Sequence, residues 1–112
     1  MRKLSSIVVG IDFSDSAWVA LGHAARIARW SGAALHAVHV VETGDVPRPS
    51  ATLTPLQQGI RASLQDEVRR RWSSFARGVV DADELPLDVS FGSRFGGLHR
   101  YVLDQGADLL VL

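Results

Sequence analysis

The chain has 112 residues, enough for one domain with a real core but little to spare. Apolar residues make up 46% and charged residues 21%, and twelve basic residues cancel twelve acidic ones, so no general basic field exists to hold nucleic acid or an anionic membrane. There is no cysteine, which excludes disulfides, thiolate catalysis and cysteine-based zinc sites. The first apolar run is too short for a signal-peptide core and no stretch approaches a membrane span, so the expected location is the cytoplasm.

LSSIVVGI (4–11) contains a short, partly β-branched apolar run closed by Asp12, which suits a buried parallel strand. Ser14 is a natural N-cap for a helix in which Ala17, Ala20, Leu21, Ala24, Ile27 and Ala28 recur at three- and four-residue steps. Those small residues allow close approach to a sheet, and Gly32 stops the helix. AALHAVHVV (33–41) reads as a second strand, apolar on both faces. Residues 42–53 hold two prolines and few large apolar groups and read as a loop.

Thr54-Pro55 reads as N-cap and first residue of a long second helix. Its apolar stripe runs through Leu56, Ile60, Leu64, Val68, Trp72, Phe75 and Val79, with Gly59 a weak point and Gly78 an earlier stop. LDVSF (87–91) is a short third strand. Ser93 or Arg94 opens a third helix carrying Leu98, Tyr101 and Val102, which Gly106 ends before a fourth strand, DLLVL (108–112). The order β-α-β-α-β-α-β predicts an α/β fold with a parallel sheet and right-handed crossovers.

The first strand-to-helix turn, GIDFSDS (10–16), offers no glycine-rich phosphate loop. It presents Asp12 instead, whose carboxylate would repel phosphate and seek donors: ribose hydroxyls, an exocyclic amine or a metal. An equally weighted account makes Asp12 a partner of the helix dipole only.

IVVGIDFSDSAWVALGHAARIA resembles the opening of the universal stress protein family, which runs strand, Asp, Ser and then an Ala-rich helix. LHAVHVVE resembles that family's second strand, and Gly92, Leu98 and GADLLVL match its third crossover without gaps. The region 42–86 matches only in layout. The resemblance implies a three-layer α/β/α domain of the Rossmann-like, adenine nucleotide alpha hydrolase-like type, over residues 1–112, with strand order 3-2-1-4. It also implies an ATP-binding, non-enzymatic role in stress response, with Mg2+ accompanying the ATP. Gly10 and Asp12 would lie against the adenosine, Val40 would offer its backbone to the adenine edge, and Leu112 would border the site. A homodimer or a tandem second domain in the parent protein would be the partner.

In that family the phosphate contacts come from a Gly-x2-Gly-x9-Gly-Ser/Thr segment directly after the fourth strand, followed by a fifth strand. The sequence stops one residue before the first of those glycines, so the domain is expected to be incomplete at its C-terminus. Each lost donor to phosphate forfeits roughly 1.5–3 kcal/mol, which predicts weak or absent ATP binding by these residues. A nucleotide-free dimerisation or interaction module of the same fold is the alternative, and DLLVL would then be an adhesive sheet edge.

Other constellations are weaker. GSRFGG (92–97) places glycines and Arg94 at a helix start but lacks the Lys-Ser/Thr of a P-loop. Asp12, Ser14 and His39 could be arranged as a hydrolytic triad, but Ser14 is better explained as a cap, a role aspartate would fill equally well, and His39 as a hydrogen-bonded strand histidine. His36 and His39 fall on opposite faces of their strand, and His23 and His99 on separate helices, so no metal site is expected. Arg69-Arg70-Arg71 reads as a solvated face, and Trp18, Trp30 and Trp72 as packing against the sheet or a partner.

Overall fold

A computed structural model of the chain describes residues 4–42 and 55–112. Its elements are β1 (Ser6–Gly10), α1 (Asp15–Ser31), β2 (Ala34–Glu42), α2 (Pro55–Phe75), β3 (Leu87–Gly92), α3 (Arg94–Gln105) and β4 (Leu109–Val111). The strands form one parallel sheet, as the alternation of elements predicts, in the order β3-β2-β1-β4 that the family resemblance implies. The Thr54 cap and residues 43–53 of the expected loop lie outside the described residues.

β1 is central because its side chains demand it. Ile7, Val8 and Val9 point alternately to both faces and all have 0% exposure, which needs a neighbour on each edge and a helical layer on each side. Ile7, Val9 and Ile11 meet Ala20, Leu21 and Ala24 of α1 and Val68 and Trp72 of α2 on one face. Val8 and Val38 meet Leu98 of α3 on the other. The alanines let α1 lie flat on the sheet, and Gly32 ends that helix at φ 74, donating its N–H to the Ala28 carbonyl at 2.8 Å.

α2 departs from the expected stripe. Its carboxyl half packs, with Trp72 buried and its indole N–H donating to the Leu85 carbonyl at 2.8 Å. Leu56 and Ile60 in its first turns are exposed. The helix closes at Phe75, and Gly78, at φ 84, sits in the turn after it, so Val79 reaches the core from outside the helix. Trp18 and Trp30 are also not packed on the sheet: they are 48% and 87% exposed, and only Trp72 is core.

α3 begins with Ser93 as its cap, whose hydroxyl accepts from the Gly96 N–H at 3.1 Å, which makes Arg94 the first helical residue. A Cβ on Gly97 would stand 3.2 Å from Val40 Cγ1, so this glycine lets α3 press on β2. The phenol of Tyr101 donates to the Asp88 carboxylate on β3, and burial followed by that charge pushes the phenol's pKa up. β4 is registered by Asp108, which donates its N–H to the Ser6 carbonyl at 2.8 Å and accepts on its carboxylate from the Ser5 and Ser6 N–H groups at 2.8 and 3.2 Å. Among the described residues no helix is long and apolar enough to cross a membrane.

The two sheet edges differ. At β3, Arg61 of α2 lays its guanidinium 4.6 Å from the centre of the Phe91 ring. β4 is wholly aliphatic and pairs only with β1 among the described residues. Open aliphatic edges recruit further strands. Sedimentation at rising concentration is expected to show self-association, and Leu110→Lys, which charges that edge, is expected to suppress it. A wild-type chain that stays monomeric throughout would show that the edge is not adhesive.

Candidate functional site

The carboxyl ends of parallel strands converge where the strand order reverses, here between β1 and β4. A cleft of about 710 Å³ opens at that point, lined by Gly10, Ile11, Asp12 and Ser14 of the first turn, Val38–Glu42 of β2, Arg94, Phe95 and Leu98 of α3, and Leu112. All four residues expected to contact a nucleoside, Gly10, Asp12, Val40 and Leu112, are therefore brought to one cavity. Leu98, which matched the family's third crossover, and Arg94, of the glycine-flanked helix start, join them.

Gly10 sets the depth of the cleft. A Cβ there would lie 2.8 Å from Leu112 Cδ2 and 3.8 Å from Leu98 Cδ1, so any side chain would grow into the space between β1 and the α3 layer. Val40 supplies a polar edge. The Ile11 N–H donates to the Val38 carbonyl at 2.8 Å, and that is the last backbone bond between the two segments among the described residues. Backbone groups of alternate strand residues point the same way, so the N–H and C=O of Val40 face the space that β1 has just vacated. One donor and one acceptor on an apolar wall of Val38, Val40, Leu98 and Leu112 match the edge and faces of a flat heteroaromatic ring.

Asp12 stands at the mouth, with its side chain 50% exposed. Its Oδ1 accepts from the Ser14 N–H at 3.0 Å and from the Ser14 hydroxyl, while Oδ2 faces the Arg94 guanidinium at 3.5 Å. The Ser14 hydroxyl, then the Ser14 N–H, and more weakly Arg94 hold this carboxyl below the usual carboxylate range, against a smaller desolvation effect. Asp12 is thus an ionised acceptor whose Oδ2 is met by one long, exposed contact. Such a pair is weak and is readily exchanged for ligand hydroxyls.

Ser14 is a cap, as its sequence position predicts, with its Oγ accepting from the Ala17 N–H at 3.1 Å. His39 holds the Ile11 carbonyl through Nδ1 at 2.6 Å, so that nitrogen carries the proton. No hydrogen bond joins His39 to Ser14 among the described residues, and a triad is not assembled. No group of three or more His, Asp or Glu among the described residues is placed to hold a metal ion. Arg69, Arg70 and Arg71 are exposed, as expected, and Arg71 also lays its guanidinium 4.3 Å from the centre of the Phe13 ring.

The Ser14 hydroxyl both accepts and donates, so aspartate is not its equal here. Ser14→Ala is expected to cost about 1 kcal/mol in urea denaturation through loss of the cap. Ser14→Asp restores the cap but sets a second carboxylate against Asp12, and is expected to recover only part of that loss. The fold lowers the Asp12 pKa, so its contribution is complete above the ordinary carboxylate range and is lost as pH falls through the folded value. Ser14→Ala should therefore lose less of its stability on acidification than wild type. Equal stability of Ser14→Asp and wild type would show that the bond to Asp12 contributes nothing.

The model of the universal stress protein family matches residues 3–112. The fold is shared with a universal stress protein solved in complex with cAMP, at TM-score 0.66 and 21% identity, covering 99% of this chain and 77% of that one. It is shared with the universal stress protein UspA from Lactobacillus plantarum at TM-score 0.66 and 26% identity, over 100% and 78% of the two chains. The protein MJ0577, whose biochemical function was assigned from its structure, superposes at TM-score 0.69 and 16% identity, over 99% and 75%. No curated protein sequence matches the chain. A family match over nearly the whole length, on a sheet of the predicted order, gives one conclusion: the chain belongs to the universal stress protein family.

Proposed function

We propose that this chain binds the adenosine part of an adenine nucleotide such as ATP, in a stress-response role without turnover. The observation that carries this reading is the ionised, half-exposed Asp12 carboxylate at the end of β1, facing the same cleft as the unladdered backbone of Val40. Asp12 Oδ2 accepts from the vicinal hydroxyls of the ribose, displacing Arg94. Val40 pairs with the adenine edge while Leu98 and Leu112 cover its faces, and the missing side chain of Gly10 lets Leu112 close against the end of β1. The cAMP complex of a similar fold supports the choice of an adenine nucleotide.

The phosphates are another matter. No glycine in these 112 residues is followed by a second glycine three positions later, so the family's phosphate-binding pattern does not occur in them. ATP is therefore expected to bind this chain little more tightly than adenosine, and any Mg2+ would be held by the phosphates. A second reading, an interaction module that works by strand pairing in a homodimer or with a tandem domain, is favoured by the aliphatic β4, which pairs only with β1 among the described residues.

Calorimetric titration of adenosine and of ATP separates the two readings. Asp12→Ala is expected to weaken both ligands by about 1.5–3 kcal/mol, as loss of a charged acceptor does, with the ligand-free melting temperature lowered modestly because the Ser14 bonds to the carboxylate are lost. Equal affinity of Asp12→Ala and wild type would remove Asp12 from the site, and no binding of either ligand by wild type would leave the interaction module as the better account.

A further inference from the structure

Phe13, between Asp12 and Ser14, has a backbone conformation that side chains seldom adopt. Its φ is +64, and it is the one non-glycine residue with positive φ among the described residues. Asparagine and aspartate tolerate that region through local hydrogen bonds, and phenylalanine has none to offer. What holds it there is its ring. The ring lies 5.0 Å from that of His39 and meets Phe75 edge-on at 5.3 Å, with the Arg71 guanidinium 4.3 Å from its centre. His39 also takes the Ile11 carbonyl at 2.6 Å, so both neighbours of Asp12 are tied down.

Neither Phe13 nor its α2 partners Arg71 and Phe75 line the cleft. They lie behind the turn, on the α1–α2 side of the sheet. Strained backbone persists only where the surroundings over-determine it, and it gathers at sites whose geometry must be kept. We infer that Phe13 is a positioning residue: its ring, anchored on α2, holds the turn so that the Asp12 carboxylate is presented to the cleft. Ligand affinity is then set in part by α2 residues that never touch the ligand. This rests on the reading of Asp12 as a ligand acceptor, but the clamp itself can be tested without one.

Ring loss and backbone strain separate cleanly by substitution. Phe13→Ala keeps the strain and loses the anchor, so the turn relaxes to ordinary φ. If about one molecule in ten then keeps the competent turn, adenosine affinity falls roughly tenfold. Phe13→Gly loses the same ring but pays no strain at φ +64, so it should retain more affinity than Phe13→Ala. A purely packing role would not place glycine above alanine. Phe75→Leu and Arg71→Gln, outside the cleft, should each weaken adenosine severalfold, and they carry the test if Phe13→Ala does not fold.

The ligand-free readout is the 13C titration of the Asp12 carboxyl. In Phe13→Ala it should move up toward the ordinary carboxylate range, because the relaxed turn no longer seats Asp12 on Ser14. A folded Phe13→Ala that titrates Asp12 as wild type does overturns the clamp, as does one that binds adenosine with wild-type affinity. A shifted titration in a chain whose wild type ignores adenosine upholds the clamp and removes the nucleoside reading instead.

Discussion

Burial of β1 on both faces is the constraint from which the rest of the structure follows. Three consecutive branched residues with no exposure cannot be satisfied by one layer or at a sheet edge. Neighbours are therefore needed on both sides, and β2 and β4 supply them. Helices must then cover both faces, α1 and α2 on one and α3 on the other. A central strand flanked in this way delivers its last residues to the point where the chain order reverses, and a crevice there is a geometric consequence.

What fills that crevice depends on residues that the core does not need. Gly10 lacks the side chain that would press on Leu112, and Asp12 carries a charge kept at the surface by Ser14 and Arg94. Phe13 adds strain of about 1–2 kcal/mol, the usual cost of left-handed backbone for an L-residue. Aromatic contacts contribute about 0.5–1.5 kcal/mol each and an exposed cation over a ring about as much, enough together to outweigh that cost. These contacts are made with the backbone at φ +64, so they offset the strain that the turn carries. The molecule therefore carries backbone strain at a turn that lines the cleft.

Much of this was legible in the sequence because the signals are local. Ser14 and Ser93 cap the helices they precede, Gly32 and Gly106 end them, and alternation of strand and helix led to a parallel sheet, whose 3-2-1-4 order the family resemblance implied. Gly10, Asp12, Val40 and Leu112 were named from the family resemblance, and they line one cleft because the topology brings strand ends together. The misses concern tertiary context. Leu56 and Ile60 have helical periodicity without a surface to meet, and Trp18 and Trp30 look like core by composition while their positions face outward. The Asp12–Arg94 pair joins residues 82 apart, beyond any spacing rule. Phe13 gave no signal because phenylalanine is an improbable left-handed residue, and only the ring's neighbours explain it.

The central claim is that the cleft at the ends of β1, β2 and β4 is where an adenine nucleoside sits. Amide chemical-shift mapping during titration with adenosine tests this most directly, since it reports place as well as binding. The account predicts saturable shifts concentrated at Gly10–Ser14, Val38–Val41, Leu98 and Leu112, with the exposed face of α1 around Trp30 unmoved. Saturable shifts centred elsewhere, or none as adenosine approaches its solubility, would contradict it.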